Sequence, residues 1–305
     1  MNPRVLIVLL LIPFSAISQA KGVVRDSLSK ASIPYINIWV ENENVGTTSD
    51  EEGNFQLPKI SKGKVLVFSG IGFETRRVSL DSTVSIVYLM PKSLSLAEVV
   101  VLARRGTRKL VVGKYRDRKI KFYFGTLNTP LVFAKFFPYS SGYEAKRYMN
   151  QIKVATESDI DSARFNVRLY AVGSDGQPSD YLYDQNIIGI AKKGKRSTII
   201  DISDLNIRFP EEGLFVAIEW LIIESNRYEY EGTGKPIDKS IRDRARNKSN
   251  AFSYEPAVGV VPSDTNNNSW ILTKGIWSRV FKGKTQSGKE GNKNTQLAIE
   301  LTLSN

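Results

Sequence analysis

Residues 46–55, Gly46-Thr-Thr-Ser-Asp-Glu-Glu-Gly-Asn-Phe55, decide the fold of the first part of this chain. Asp50 and Asn54 favour a turn because their short side chains hydrogen-bond to nearby backbone groups, and Gly53 admits a positive φ. Just before them, Ile36-Asn-Ile-Trp-Val40 alternates with the two-residue period of a half-buried strand. The stretch therefore predicts a strand, a turn and a following strand.

Short strands of the same kind follow along the chain. Phe55-Gln-Leu57 and Val65-Leu-Val-Phe68 have strand character, and residues 83–89 alternate before Pro91. About seven short strands separated by regular turns in about 70 residues are typical of a small sandwich. We therefore predict a β-sandwich over residues 21–92.

The same residues carry a resemblance to a known family. The ordered motifs are Gly22-Val-Val-Arg-Asp26, Pro34–Val40, Gly46–Phe55 and Phe68-Ser-Gly-Ile-Gly-Phe73. They resemble the carboxypeptidase-regulatory-like domain, a transthyretin-like sandwich widespread in exported Bacteroidetes proteins, over about a quarter of the chain. The resemblance implies that Gly53 turns the chain, that Phe55 enters the core, and that residues 69–73 form a close-packed bend. It also implies a structural or interaction module rather than a peptidase.

A basic segment follows this module. Leu94–Val101 resembles the linker after this domain in TonB-dependent outer-membrane receptors. About 200 residues remain after it, too few for a receptor barrel of that kind, so we do not expect a transporter. Residues 93–120 are predicted to be a basic linker, which is either a solvated connector or a strip that docks anionic partners. The cations in and next to it are Arg104, Arg105, Arg108, Lys109, Lys114, Arg116, Arg118, Lys119 and Lys121.

A second β pattern occupies residues 121–305. Residues 165–171 alternate apolar and polar side chains, and Leu214–Ile223 is nearly continuously apolar, as in a central strand. The predicted fold class is therefore all-β: a small seven-stranded transthyretin-like sandwich followed by a larger antiparallel β-sandwich, with the jelly roll as its favoured form. Ala163–Tyr170 and Gly213–Trp220 resemble the domain that follows the regulatory-like module in short exported Bacteroidetes proteins, which implies architecture only.

Composition excludes several kinds of chemistry. Cysteine and histidine are both absent, so disulfides, thiol nucleophiles, lipid-modified cysteines and a Ser-His-Asp triad are excluded. A zinc site made of carboxylates alone would be unusual. The net charge of +12 and the pI near 9.6 favour association with acidic partners.

The N-terminus predicts export. Residues 1–20, MNPRVLIVLLLIPFSAISQA, combine Arg4, a short apolar run and small residues before a predicted cleavage point at Ala20-Lys21, as in a signal peptide. We expect the protein in the periplasm or at the outer-membrane surface. Nucleic acid is then not an expected partner. Acidic glycans, envelope proteins and a peripheral association with the membrane remain open, and the oligomeric state is not predicted.

Aromatic side chains near predicted loops are the candidate ligand-binding residues, because sugar-binding sandwiches stack sugars on aromatic faces. The alternative is that they fill the core. The long polar loop 231–250 adds a candidate basic patch. The aromatic candidates are Trp270, Trp277, Tyr181, Tyr183, Tyr228 and Tyr230, and the basic ones are Arg242, Arg244, Arg246 and Lys248.

Carboxylates offer two weaker kinds of site. Asp175 and Asp180 in the loop 173–180 are possible calcium ligands, although turn formation alone explains them, and the acidic residues at 157, 159 and 161 are judged in the same way. Otherwise no metal or cofactor is predicted. Glu219 and Glu224 could form a glycosidase pair, but at i and i+5 on a strand they point to opposite faces. Glu219 is more simply a residue on the outer face or one paired with a nearby arginine.

We therefore predict a non-catalytic exported envelope protein that recognises a glycan or another envelope component. Two alternatives remain open: a carboxylate-dependent polysaccharide hydrolase, and a subunit of an outer-membrane assembly whose exposed strand edges extend a partner's sheet.

Overall fold

The computed structural model describes residues 18–60, 63–80, 85–92, 108–127, 129–230, 251–263, 269–280 and 294–305. Residues 1–17 of the predicted signal peptide, most of the predicted linker and the loop 231–250 lie outside the described residues. The first strand begins at Ser18, so cleavage after Ala20 would remove its first three residues. Within the described residues, no helix is both long and apolar enough to span a bilayer.

The first module is a seven-stranded sandwich, as predicted. One sheet has the order β4-β1-β7 and the other the order β3-β2-β5-β6; all pairs are antiparallel except β1 with β7. The strands are β1 (Ser18–Asp26), β2 (Asn37–Val40), β3 (Gly46–Thr48), β4 (Asn54–Ile60), β5 (Val65–Ser69), β6 (Arg76–Ser79) and β7 (Ile86–Leu89).

The motifs that carried the resemblance build the core of this module. Asp50 Oδ1 accepts the backbone N–H of Asn54 at 2.7 Å, and Gly53 has a φ of +79°, so the chain turns there. Phe55 is buried and meets Phe68 edge-on, with ring centroids 5.4 Å apart. A Cβ on Gly70 would lie 2.2 Å from the Ile36 side chain, so the bend after β5 is close-packed. These expectations are confirmed.

The second module is larger. Its 15 described strands form a seven-stranded and an eight-stranded sheet in which every pair is antiparallel. The first eight are β8 (Lys109–Val112), β9 (Phe122–Thr126), β10 (Val132–Phe137), β11 (Tyr148–Ser158), β12 (Ala163–Val172), β13 (Pro178–Tyr181), β14 (Ile187–Ala191) and β15 (Gly194–Asp201). The others are β16 (Leu214–Trp220), β17 (Arg227–Tyr230), β18 (Ala251–Ser263), β19 (Ser269–Thr273), β20 (Ile276–Arg279), β21 (Asn294–Leu297) and β22 (Ile299–Ser304). Short 3-10 helices span Asp117–Lys119, Ser141–Lys146, Ser203–Leu205 and Glu224–Asn226.

The strand order confirms the favoured jelly roll. Four strands of one sheet pair in the order β9-β18-β11-β15, and four of the other in the order β10-β16-β12-β14. Successive strands cross between these sheets in the manner of two interlocked Greek keys. The remaining strands extend the two sheets at their ends and edges.

The core of the jelly roll lies between the two sheets. Alternate residues of β12, such as Phe165, Val167 and Leu169, point into it, as the alternation in the sequence predicts. Every residue of β16 is buried, so it is the central strand that its continuous apolar run predicts. Trp220 at its end donates its indole N–H to the Pro256 carbonyl at 2.7 Å.

Five strands of the second module fall outside its predicted strands, which span residues 121–125, 131–137, 149–155, 164–172, 196–202, 213–223, 270–274, 278–281 and 296–302. β8 lies inside the predicted basic linker and pairs with β22, so that part of the segment belongs to the large sheet and is not a connector. Because cations flank its three apolar residues, the sequence pattern does not indicate a strand there. The 13-residue β18 contains Pro256 and Pro262, which interrupt a strand pattern. The others are the short strands β13, β14 and β17.

Core packing leaves no room beside Gly189, which faces Phe165 across β14 and β12. A Cβ there would lie 2.3 Å from Phe165 Cζ, so we expect Gly189→Ala to lower the free energy of unfolding by about 1–3 kcal/mol through overpacking. Gly125→Ala is the matched control, because its Cβ would meet Ala257 at an ordinary 3.5 Å. Urea denaturation measures both, and equal midpoints for the two variants would contradict this packing.

Candidate functional site

The two modules meet along the free edge of the small sandwich. The β3 residues Thr47 and Thr48 approach Ile222, which follows β16. The Thr48 backbone N–H donates to the Ile222 carbonyl at 3.1 Å, and the Ile222 N–H donates to Thr48 Oγ1 at 3.0 Å. The Thr47 hydroxyl also donates to the Ile222 carbonyl, at 3.1 Å. The edge strand is thereby satisfied by the jelly roll instead of remaining open to other chains.

A buried ion pair lies at the centre of this contact. Arg168 on β12 and Glu219 on β16 are 2% and 3% exposed, and both Nε and Nη2 of the arginine lie 2.7 Å from Glu219 Oε2. The side-chain amide of Asn37, on β2 of the small module, donates to the other carboxylate oxygen. Asn186 Oδ1 accepts from Arg168 Nη1 at 2.9 Å and from the Asn166 amide at 2.7 Å. Each carboxylate oxygen thus has a partner, as burial of an ion pair requires.

Electrostatics around this pair agree with its burial. Desolvation opposes the charged form of Arg168, but the Glu219 carboxylate, its hydrogen bond and the nearby Tyr181 and Tyr170 together outweigh it and raise the arginine pKa above its usual value. Burial also raises the pKa values of Tyr170 and Tyr181, which lie on the same side of the sheet. The site therefore holds one fixed charge pair and neutral phenols.

Tyr35 lies at the rim of the contact in an unusual backbone conformation. Its φ is +59°, a left-handed value that is rare for an aromatic residue. Its backbone N–H donates to the Ser49 carbonyl at 3.0 Å and its hydroxyl donates to Glu51 at 3.3 Å. Arg164 of the jelly roll lies 3.1 Å from the same carboxylate, and the Tyr35 ring packs against Leu221. The turn before β2 is therefore held by both modules.

Next to this rim is a cleft of about 290 Å³. Residues 26–36 and 71–73 of the small module form one side, and residues 184–186 of the jelly roll form the other. Apolar side chains, including Ile33, Ile71 and Phe73, alternate with groups that bear oxygen atoms. The polar lining residues are Asp26, Ser29, Ser32, Asp184, Gln185 and Asn186. A concave apolar surface with a few oriented polar groups at a module junction is typical of small-ligand sites.

Three of the predicted aromatic candidates lie together, but not as an open platform. Trp270 is only 6% exposed, so the prediction of an exposed stacking face is wrong for this residue: its ring packs into the outer face of the seven-stranded sheet beneath Arg279, whose guanidinium lies 5.0 Å from it. Trp277 and Tyr181 are half-buried and border Tyr170, with ring centroids 5.3 and 4.8 Å away. We call these four rings the aromatic cluster; only its rim is accessible.

The other aromatic candidates lie elsewhere. Half-buried Tyr183 packs against the main core and donates its hydroxyl to Gln185 at 3.3 Å, next to the cleft. Tyr228 is half-buried on β17. The side chain of Tyr230 lies outside the described residues, as do Arg242, Arg244, Arg246 and Lys248 of the predicted basic patch.

The calcium candidates have a structural role in a turn. Asp175 Oδ1 accepts the backbone N–H of Gln177 at 3.0 Å, and Gly176 has a φ of +74°. Asp180 is exposed on β13. Across the described ranges, no group of three or more Asp or Glu side chains is placed to hold a metal ion. The turn interpretation of this loop is therefore the one that the geometry favours.

The acidic residues at 157 and 161 also have individual roles. Glu157 lies 3.5 Å from Lys195, and Asp161 accepts the Lys193 backbone N–H at 3.0 Å. Glu219 and Glu224 do not form a catalytic pair, because the first is in the buried pair with Arg168 and the side chain of the second is 84% exposed. Of the two simpler interpretations of Glu219, the pairing with an arginine is confirmed.

Glu255 is a titratable residue that the sequence did not single out. It is 1% exposed, accepts the Ser253 hydroxyl at 2.9 Å, and has a second oxygen with no hydrogen-bond partner in the described structure. Burial raises its pKa to about 7, with Asp159 and Glu157 adding to the shift. A raised pKa suits a general acid, but a substrate cannot reach a side chain enclosed in this way.

Comparison with known proteins identifies the first module. The model of the CarboxypepD_reg-like domain matches residues 20–101, so the resemblance is confirmed. A TonB-dependent receptor, P3 of Formosa agariphila, is 29% identical over 88 residues, which are 29% of this chain and 9% of the receptor. The chain thus spans less than a tenth of that relative. Both similarities favour a non-enzymatic module over a peptidase.

Solved structures add little. The cysteine protease and lectin-like domains of Cwp84, a surface-layer-associated protein of Clostridium difficile, align over 89% of this chain and 59% of that one, with 10% identity and a TM-score of 0.35. A structure of infectious bursal disease virus aligns over 94% of this chain and 60% of that one, with 9% identity and a TM-score of 0.24. At these scores neither carries an argument about fold or function.

The junction residues could be found in the sequence only in part. Glu219 interrupts an apolar run, which signals a buried, paired charge. Asn37 and Asp184 sit in ordinary strand and loop patterns, and nothing local marks them as partners of a site.

Removing one member of the buried pair leaves the other charge buried and unpaired. We expect Glu219→Ala to lower the free energy of unfolding by about 3–5 kcal/mol. The double variant Arg168→Met, Glu219→Leu should lose much less stability than Arg168→Met and Glu219→Leu lose in sum. Urea denaturation of the set measures this. Glu43→Ala, which breaks the exposed 2.7 Å pair with Lys64, should cost at most about 1 kcal/mol, and an equally small loss for Glu219→Ala would contradict the buried pair.

Glu255 makes stability depend on pH. Because its folded pKa of about 7 exceeds the ordinary 4.5, the folded state binds the proton more tightly, and stability falls as pH rises through that window. Glu255→Gln should therefore gain melting temperature over the wild type progressively from pH 4.5 to pH 7. Glu224→Gln, at an exposed position, serves as the control and should show no such trend. A constant difference between Glu255→Gln and wild type across this window would refute the raised pKa.

Proposed function

We propose that this chain is an exported, non-catalytic envelope protein that binds a glycan in the cleft between its two modules. The observation that carries the proposal is the junction itself. The β3 edge, the Arg168–Glu219–Asn37 network and the shared Glu51 carboxylate fix the modules against each other. The cleft beside them is therefore formed before a ligand arrives, which lowers the entropic cost of binding.

The chemistry of the cleft suits a hydroxyl-rich ligand. Two of its polar side chains are already held by contacts within the protein. Asp26 Oδ1 accepts two backbone N–H groups, and Asn186 Oδ1 accepts from Arg168 and Asn166. Asp184 and Gln185 bring further acceptor oxygens to the side formed by the jelly roll, where sugar hydroxyls could donate to them. Phe73 and Ile71 provide apolar surface for the faces of the sugar rings.

The comparisons and the N-terminus support an envelope location. The module over residues 20–101 is a CarboxypepD_reg-like domain, and its relative in Formosa agariphila is named as a TonB-dependent receptor. The first 20 residues have the pattern of a signal peptide. Together these features favour a place outside the cytoplasm.

The hydrolase alternative has less support. Of the two acids that the sequence offered, Glu219 is in a buried ion pair and Glu224 is far out in solvent. A glycosidase needs a reachable acid of raised pKa facing a second carboxylate. Glu255 has the raised pKa, but it is enclosed.

A glycan array followed by calorimetry on the best ligand tests the proposal. We expect Asp184→Asn and Phe73→Ala each to weaken binding, by roughly 10-fold for the carboxylate, because a charged acceptor is replaced by a neutral amide oxygen. Asp180→Asn, a nearby exposed acid outside the cleft, is the matched control and should bind as the wild type does.

Two results would contradict the proposal. Binding lost with Trp277→Ala and unaffected by the cleft variants would place the ligand at the rim of the aromatic cluster. Turnover of a bound polysaccharide by a clean preparation would restore the hydrolase alternative.

A further inference from the structure

The opposite face of the jelly roll presents a dense positive charge. The small module covers the outer side of the seven-stranded sheet, so the outer side of the eight-stranded sheet lies away from it. Residues 113–121, which we call the basic strap, connect β8 to β9 along this second face. The strap contains five cations and a single acid, Asp117. All five cations are exposed: Lys114, Arg116, Arg118, Lys119 and Lys121.

The backbone of the strap is held in place. The Tyr115 N–H donates to Glu300 Oε1 at 3.0 Å, and the Lys121 N–H donates to the Val260 carbonyl at 2.8 Å. Between them is the 3-10 helix Asp117–Lys119. The side chains of Tyr115 and Ile120 pack on a small cluster formed by the outer faces of β11, β18 and the residue before β22. The cations are thus displayed by a fixed backbone.

Their charge is not neutralised by the protein. Within the described ranges, none of the five strap cations forms an ion pair. Two carboxylates on this face of the sheet already have lysine partners: Glu300 lies 3.3 Å from Lys153, and Glu157 lies 3.5 Å from Lys195. The surface therefore favours an anionic partner.

An exposed apolar side chain lies beside the strap. Ile199 on β15 is 58% exposed and pairs across the sheet with Lys153, so both point outward. The Lys153 ammonium lies 4.9 Å from the Tyr115 ring, which places the isoleucine next to the strap. A purely anionic soluble polymer would gain nothing from this apolar side chain, whereas a lipid surface would.

We propose that the basic strap, with Ile199, is a docking surface for an anionic lipid bilayer. The five cations lie against lipid phosphates, and the Ile199 side chain enters the headgroup boundary. Several clustered cations with a neighbouring apolar group are the combination that anchors peripheral proteins to such surfaces. The inference is independent of the cleft, which lies on the other side of the jelly roll.

Vesicle co-sedimentation tests this inference. We expect the protein to bind vesicles of phosphatidylcholine mixed with phosphatidylglycerol, to ignore vesicles of phosphatidylcholine alone, and to dissociate at high salt. Replacing Arg116, Arg118 and Lys119 together by glutamine should lower the partition coefficient into the vesicles roughly 100-fold. Each cation contributes a similar factor to binding, and the three factors multiply. Ile199→Ser should weaken vesicle binding without changing binding to soluble polyphosphate.

The control replaces Lys21, Lys92 and Arg208, three exposed cations away from the strap, by glutamine. It removes the same charge and should bind vesicles nearly as the wild type does. If the control variant lost as much vesicle binding as the strap variant, binding would depend on net charge alone, and the proposal would be overturned. Binding to polyphosphate without binding to phosphatidylglycerol vesicles would also overturn it, in favour of a soluble polyanion. Melting temperatures of all variants show that they remain folded.

Discussion

The buried carboxylate of Glu219 must be paired and hydrogen-bonded, and much of this structure depends on that requirement. Glu219 lies on a strand that is buried along its whole length. Without partners, its buried charge would strongly destabilise the fold. Arg168 supplies the charge from the neighbouring strand, and Asn37 completes the hydrogen bonds from another module. Because one of its partners comes from the small sandwich, the pair is fully satisfied only when the two modules are docked. The jelly roll therefore needs the docked small module to satisfy its buried carboxylate, so docking does not follow from the covalent linker alone.

The two sheets of the jelly roll have different surroundings. The outer side of the seven-stranded sheet carries the small module, the cleft and the aromatic cluster, so its polar and aromatic groups are largely occupied by the protein itself. The outer side of the eight-stranded sheet carries the basic strap, whose cations form no ion pairs within the described residues. A sandwich that closes one face with a second domain and leaves the other charged can hold a ligand on one side while resting on a surface with the other.

The aromatic residues show why residue type alone does not locate a site. Trp270 and Trp277 are seven positions apart, yet one is buried and the other half-buried, because β19 and β20 form a hairpin at the edge of the sheet. The same indole chemistry serves packing in the first and a partly open rim in the second. Which occurs depends on how many strands flank the residue, and flanking strands come from distant parts of the chain.

Local patterns in the sequence determined the fold class, the seven strands of the first module, the turn at Gly53, the central place of β16 and the absence of cysteine and histidine chemistry. These follow from neighbouring residues, through the period of two along a strand and the conformations open to Gly, Asn and Asp. The tertiary structure alone decided the junction. Asn37 and Glu219 are 182 positions apart, and Phe73 faces Asp184 only because both modules are folded and docked. Such contacts depend on the summed geometry of two sandwiches, which no local window of sequence contains.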